Sequence, residues 1–398
     1  MTNIAILGFG VVGSGVAELI TNNKKEVKRL GKGEVSIKYI LDLRDFPNSP
    51  FGDRVVHDFD VILNDREVSV VIEAMGGSHP AYEYTVAALK AGKSVITSNK
   101  EVVANYGEEF LALAQKNGVS YRFEASVGGG IPVLSPMIHS VGQNKISEVR
   151  GILNGTTNYI LTQMFTFGES FESALAEAQE KGYAERNPDA DIFGVDACRK
   201  IAILTALATG KLISTDRIYT EGIVGVRSAD VKCAAALGCT IKLIGRCVVN
   251  DGSPYVMVAP FLVPNELPLS TVSGVYNAVE IIAQPLGNVM FYGRGAGAGA
   301  TASAIVGDLM ETMRLGALGM PSFERSSDIR ELSSFASQHY VAVAAESESV
   351  IRERFGDGID AISTEVGEFA FLTDKLSESE LSELLGDVLP LSHIRLLG

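Results

Sequence analysis

Two groups of residues in this chain of 398 have the types and spacing to do chemistry. The first lies mid-chain, where Asp196 and Lys200 stand four apart and share one face of a helix predicted over 195–208. On an exposed helix this would be an ordinary ion pair contributing about a few tenths of a kcal/mol. The rest of the helix, IAILTALATG from Ile201, is apolar almost all round, the pattern of a buried helix. The loop just before it carries Glu185, Asp189 and Asp191. A lysine at the mouth of a buried helix, beside carboxylates, is where desolvation and charge tune an amine for proton transfer. The second group opens the chain: Gly8-Phe9-Gly10-Val11-Val12-Gly13, between an apolar strand at 3–7 and a helical pattern from about 12 to 30. A lone GxGxxG is weak; the strand before it and the helix after it make it a dinucleotide loop. Gly8 suits the tight turn, Gly10 the approach of a pyrophosphate and Gly13 close helix–strand packing, with Val11 and Val12 as backbone donors at the helix N-terminus. A dinucleotide enzyme that passes hydride to a carbonyl needs a proton donor for the nascent alkoxide, and Lys200 suits that task.

The elements that must position these groups follow from periodicity. Strands at 35–43, 68–75, 94–98 and 119–125 alternate with helices at 58–64, 80–91 and 100–116, the signature of a doubly wound parallel sheet. The loops at the strand ends, 74–77, 97–100 and 126–130, should line the cofactor site. After the second strand, Asp42 could accept from a ribose 2′-OH (NAD), while Arg44 could meet a 2′-phosphate (NADP); the choice stays open and leans to NADP. Strands at 146–153, 241–249 and 255–261 predict a second, α+β domain with helices on one face, and a helix at 301–315 should return to the first domain.

Composition narrows the partners. A net charge of −14 argues against nucleic acid and anionic membrane, and the apolar runs are too short to span a bilayer. The opening residues show no signal peptide, and Cys198, Cys233, Cys239 and Cys247 form no CxxC, so the expected setting is the reducing cytoplasm. Histidines are scattered (57, 79, 139, 339, 393), which disfavours a zinc-dependent alcohol dehydrogenase and leaves no histidine as the acid.

Five segments carry a family resemblance: SNKEVVA (98–104), FEASVGGGIPV (123–133), ILNGTTNYIL (152–161), GYAE…DIFGVDACRK (182–200) and GRGAGAGATASAIVGDL (293–309). In this order and spacing the chain resembles homoserine dehydrogenases over about residues 1–316. That resemblance implies NAD(P)-dependent interconversion of aspartate 4-semialdehyde and homoserine, in the route to threonine and methionine. It implies Lys200 as proton donor and acceptor, Glu185 and Asp196 on the substrate ammonium, and Asp191 supporting them. Gly155 and Thr156 would line the substrate, and Lys100 would sit between nicotinamide and substrate. Gly182, Gly295 and Gly297 would contact cofactor. A structural sodium would be held at Glu124, Val127, Gly129 and Ile131, mostly by carbonyls. Two protomers would pair through the second domain's sheet as a homodimer, a homotetramer being the alternative. The implied division is a dinucleotide domain of 1–130 plus about 297–318, and a substrate and dimerisation domain of 131–296. The chain departs from the family's Glu-x-Asp-Pro, reading Glu185-Arg186-Asn187-Pro188, which puts the loop's conformation and substrate affinity in question.

Residues 325–337 read as a linker or short helix. Beyond it, strands at 340–344, 359–365, 368–373 and 393–396 with helices at 347–355 and 378–385 give a βαββαβ order over 338–398 that resembles an ACT domain. The turn Ala345-Glu346-Ser347-Glu348-Ser349 lacks that module's Asp-x-x-Gly, so a purely structural appendage stands beside the regulatory reading. Two other functions remain open here: another amino-acid or sugar dehydrogenase of the same build, which leaves ILNGTTNYIL unexplained, and a non-catalytic dinucleotide sensor, which has no need of Lys200.

Overall fold

The structure is a computed structural model that describes every residue except 250–251 and 363–366. Six strands, β1 (Thr2–Leu7), β2 (Val35–Leu41), β3 (Val55–Val56), β4 (Val68–Glu73), β5 (Ser94–Thr97) and β6 (Tyr121–Arg122), form one parallel sheet in the order β3-β2-β1-β4-β5-β6. The chain order reverses between β1 and β4, and ligands of such sheets lie at that switch point, beyond the carboxyl ends of the strands. Helix α1 (Val11–Asn22) starts within the glycine loop, with Gly10 as its N-cap. The single helix expected to about residue 30 is instead two, because Asn23 (φ −108°, ψ 33°) breaks it before Lys24–Gly31. The sixth strand is also shorter than the expected 119–125. At Glu124–Ser126 the chain turns into a tight helical turn, and the Glu124 carboxylate accepts the N–H groups of Val133, Leu134 and Ser135.

Helices α2 (Lys100–Asn117), α3 (Gly155–Phe167) and α4 (Val195–Thr209) surround the site, and α5 (Ala298–Leu315) packs back along α1. Its Ala302, Ile305, Val306, Leu309 and Met310 share one apolar cluster with Ile4, Ile6, Val16 and Ile20.

The second sheet contains β7 (Lys145–Ile152), β8 (Cys239–Val248), β9 (Tyr255–Pro264), β10 (Tyr276–Gln284) and β11 (Gly287–Arg294), in the order β11-β10-β7-β8-β9. It does not stop at β9. The tail strands β12 (His339–Ala344), β13 (Ile359–Ile362), β14 (Glu368–Thr373) and β15 (Ser392–Leu396) continue it, β15 running parallel to β9 with Phe261 opposite Arg395 and Leu262 opposite Leu396. Within the tail the order is β15-β12-β14-β13, all antiparallel, the arrangement of a ferredoxin-like βαββαβ unit. Residues 363–365 of the strand expected at 359–365 lie outside the described residues.

The stretch expected as a linker is docked instead. Glu324–Ser326 pairs in parallel with Lys211–Ile213, and Phe335 is buried in one apolar cluster with Met257 and Phe261, edge-to-face on Tyr255, so an apolar residue in a polar stretch sets its path. Among the described residues no helix is long and apolar enough to cross a membrane, and all four cysteines are buried and unbonded.

Candidate active site

The site assembles where α4 meets the ends of β5 and β7. Helix α4 is buried along most of its length, so Asp196 (5% exposed) and Lys200 (8% exposed) lie inside the protein rather than on a solvated face. Lys200 Nζ donates to Asp196 Oδ2 and to the Leu153 carbonyl, both at 2.7 Å. Lys100, the first residue of α2, reaches Asp196 Oδ1 at 2.8 Å. One buried carboxylate thus holds two ammonium groups.

Burial pushes the Asp196 carboxyl up, but Lys200 and Lys100 outweigh it and hold the group below the usual carboxylate range. For Lys200 burial wins, and its ammonium is held below the ordinary lysine value in spite of Asp196. Lys100 is more open to solvent; burial pulls it down, and Asp196 more than restores it.

Asn154 was not singled out from the sequence, yet it organises the acids. Its Oδ1 accepts the Thr157 N–H and caps α3, while its Nδ2 donates to Asp191 at 2.7 Å and to Asp196 at 2.9 Å. Burial raises the Asp191 carboxyl, which sits in a short helix, Asp189–Ile192. The departure at Asn187 leaves that helix intact, because Asn187 Oδ1 accepts the Asp189 N–H at 3.3 Å, work that an aspartate oxygen would otherwise do. Thr156 Oγ1 donates to the Tyr183 carbonyl at 2.7 Å and ties α3 to the 182–185 loop.

These residues face one cavity of about 560 Å³. Its lining includes Val12, Lys100, Gly129, Gly155, Thr156, Gly182, Glu185, Asp191, Asp196, Lys200, Gly295 and Gly297, all candidates on sequence. Ser98 and Ser126, on the loops expected there, line it too, as do Arg294 and Thr301, which sit within segment 293–309 without being candidates on sequence. The loop 74–77 packs its Ala74 carbonyl against Gly8 of the glycine loop. Asp196 meets two lysines and Asn154, whereas among the described residues neither the exposed Glu185 nor Asp191 has an ion pair.

The glycine loop fits a dinucleotide. Gly8 has φ +89°, a Cβ on Gly13 would lie 2.0 Å from the Gly8 carbonyl oxygen, and a Cβ on Gly10 would point into open space. Phe9 is not a cofactor-facing side chain: it is buried against Phe46 and Phe51, and only its backbone N–H acts, donating to Asp42 Oδ2 at 2.8 Å. The other Asp42 oxygen accepts Arg44 N and Nε, both at 3.0 Å, and Arg44 holds the Asp42 carboxyl down at about 2. At the Glu124–Ile131 turn the Glu124 carboxylate accepts three N–H groups, so the turn's carbonyl oxygens are the freer ligands for a hard cation.

Away from this cavity, His339, Glu378 and His393 come close together in the tail. Glu378 is already held by the Arg395 guanidinium at 2.5 Å, and the two imidazoles hydrogen-bond each other at 2.8 Å. Burial pushes His393 down to about 3, so the pair is neutral and internally satisfied.

A doubly wound sheet with a glycine loop at its switch point, opening on a buried lysine and its acids, defines a nicotinamide-dependent oxidoreductase. Comparison with known proteins is specific. Residues 8–124 match the family profile described as the NAD-binding domain of homoserine dehydrogenase, and residues 132–310 match that of homoserine dehydrogenase itself. A homoserine dehydrogenase of Synechocystis sp. is 39% identical over 88% of this chain and 81% of its own length. The crystal structure of a homoserine dehydrogenase from Thiobacillus denitrificans superposes with a TM-score of 0.92 at 32% identity, covering 100% of this chain and 98% of that one. A hyperthermophilic archaeal homoserine dehydrogenase mutant in complex with NADPH gives 0.67 at 28% identity, over 80% of this chain and 99% of that one. The chain belongs to the homoserine dehydrogenase family. It is an oxidoreductase acting on a CH–OH group, interconverting L-aspartate 4-semialdehyde and L-homoserine with a nicotinamide dinucleotide.

Proposed function

We propose that Lys200 is the acid–base residue of this reaction, and the observation that carries the reading is its burial at 2.7 Å from Asp196 in the cavity wall. The bound cofactor supplies or accepts the hydride. Lys200 gives its proton to the oxygen that gains negative charge on reduction and recovers it on oxidation. Asp196 keeps Lys200 oriented and charged enough to donate, while burial keeps the proton loosely held. Lys100, which stays charged, holds the substrate oxygen side, and Glu185 with Asp191 binds the ammonium of the amino acid.

The pH sense follows from the lowered Lys200 value: aldehyde reduction falls as pH rises through it, and homoserine oxidation rises. The test is Lys200→Ala, assayed by nicotinamide absorbance with cofactor binding measured separately. Turnover should fall by about 10²–10⁴ with cofactor affinity retained; unchanged turnover would sink the mechanism.

For the cofactor, NADP is the proposed preference. The Asp42 oxygens are taken by the Phe9 N–H and by Arg44, which grips them through its backbone N–H, Nε and Nη2, while the Arg44 side chain, 65% exposed, keeps its remaining N–H groups for a 2′-phosphate. A kcat/KM higher for NAD than for NADP would overturn this.

A sodium ion, where bound, would be held by the carbonyls of Glu124, Val127, Gly129 and Ile131 and would stiffen the turn rather than act on substrate. Melting temperatures equal in sodium and in tetramethylammonium would count against it.

The proposed domain division is 1–130 with about 297–318, then 131–296 and 338–398. Homodimer formation through the second sheet is supported by the exposed Met290 and Tyr292 on edge strand β11, and sedimentation tests it. The proposed setting is the cytoplasm. The tail is read as an ACT-like unit with at most weak threonine inhibition, which a clear submillimolar inhibition curve would overturn.

A further inference from the structure

Glu73 takes no part in the steps above. It ends β4 beneath the crevice, fully buried (0% exposed). Among the described residues its carboxylate faces no cation. Oε1 accepts the Met75 N–H at 2.7 Å, and Oε2 accepts the Thr97 hydroxyl at 2.5 Å. Among the described residues the titratable group facing it is the Tyr121 hydroxyl on β6, buried and without a hydrogen-bond partner among them. A buried carboxylate without a counter-charge is costly, and an apolar residue would serve a central strand better.

What it holds explains its presence. Thr97 Oγ1 accepts the Asn99 N–H at 2.9 Å, and Asn99 Nδ2 donates to the Gly77 carbonyl at 2.7 Å. Asn99 Oδ1 accepts the Glu101 N–H at 3.2 Å and so caps α2, whose first residue is Lys100. The loops 74–77 and 97–100 therefore hang on one carboxyl group.

We propose that Glu73 is a positioning residue, which locks these two loops together and thereby holds Lys100 against Asp196 at the mouth of the active cavity. The inference rests on Lys100 acting on the substrate. Burial pushes the Glu73 carboxyl up to about 7, against the bonds from Thr97 and Met75 and the nearby Asn99 amide. Above that value the carboxylate accepts from Met75 and Thr97 alike. Below it the protonated group must donate one of these bonds, the Thr97 hydroxyl loses its acceptor, and the lock loosens. The contribution to activity is present above about pH 7 and lost as pH falls.

The test compares pH profiles of kcat and KM for Glu73→Gln, Thr97→Val, Lys100→Ala and the Glu73→Gln/Lys100→Ala double variant, with cofactor binding followed by fluorescence. Gln keeps the shape of the protonated acid, so the fold should survive. At about pH 8 Glu73→Gln should lower kcat about ten- to a hundredfold with cofactor affinity nearly unchanged. Its profile should lack the acid limb near 7, and Thr97→Val should behave alike. In the Lys100→Ala background the Glu73→Gln change should add nothing. A Glu73→Gln profile that overlays the wild type, or a lowered melting temperature with an unaltered profile, would overturn the proposal. So would full multiplication of the two effects in a crippled Lys100→Ala background, which faults Glu73 alone. Wild-type turnover in Lys100→Ala would instead fault the role of Lys100, and the proposal with it.

Discussion

At the scale of single residues, the site turns on one carboxylate. Asp196 meets Lys100, Lys200 and Asn154 at once, with 5% of its surface exposed. Removing its charge leaves two ammonium groups without their partner, and breaking a buried pair costs about 3–5 kcal/mol. Asp196→Asn should therefore lose about that much stability at neutral pH, and turnover with it. The dependence on pH has a definite sign. Because the folded group ionises below its ordinary value, its contribution is complete above the unfolded carboxylate pKa and is lost as pH falls through the folded one. Denaturant titrations of wild type and variant from neutral to acid pH should converge as acid is added. A difference that stayed constant with pH would refute the ion-pair account. Lys200 was legible in the sequence, since a charged residue at the head of an apolar helix is conspicuous. Asn154 was not, because its two bonds to Asp191 and Asp196 join residues far apart in the chain and leave only an N-cap signature.

At the scale of elements, the glycine loop separates folding from binding. A Cβ at Gly13 would meet the Gly8 carbonyl oxygen at 2.0 Å, a backbone atom that cannot rotate away, whereas a Cβ at Gly10 would meet nothing within 4 Å. Gly13→Ala should thus force the turn open, lowering stability by about 1–3 kcal/mol along with cofactor affinity. Gly10→Ala should melt like the wild type, since its extended backbone suits alanine, yet bind cofactor at least about tenfold more weakly where the pyrophosphate must approach. Thermal melts paired with cofactor titrations decide it, and equal affinity in Gly10→Ala and wild type would mean the loop holds no phosphate. The parallel sheet itself was readable because each strand is an apolar run and each helix a local pattern. The breaks were less so: the stop at Asn23 and the short sixth strand follow from a local dihedral and from Glu124 capping a distant turn.

At the scale of the whole molecule, the tail is bound into the second sheet rather than hung from it. Nothing local in the sequence signals this, because β15 joins β9 across more than a hundred residues and pairs through backbone groups that any side chains permit. The joint is also chemical. Arg395, 2% exposed, pairs with Glu378 in the tail and with Glu221 outside it. Arg227 spans Asp230 and Glu368, and the Tyr340 hydroxyl donates to the buried Asp230. Tyr340, Ala342, Ala370 and Ile394 belong to the same apolar cluster as Ile241 and Leu262. From Glu221 the contact runs on to the active site, since Ile223 N–H donates to the carbonyl of Ile192, whose helix carries Asp191. Deleting residues 338–398 should therefore uncover the end of β9 around Phe261 and Leu262, an apolar edge whose other half stays paired with Tyr219–Thr220, and yield an aggregating chain. In the full chain, calorimetry should find the tail melting with the second sheet, not before it. The point variant Arg395→Ala, which leaves the edge covered, should raise the KM for homoserine more than it changes cofactor affinity, because its effect reaches Asp191 and not the glycine loop. A soluble truncated chain with the full chain's melting temperature and turnover would show that the tail merely leans on the sheet.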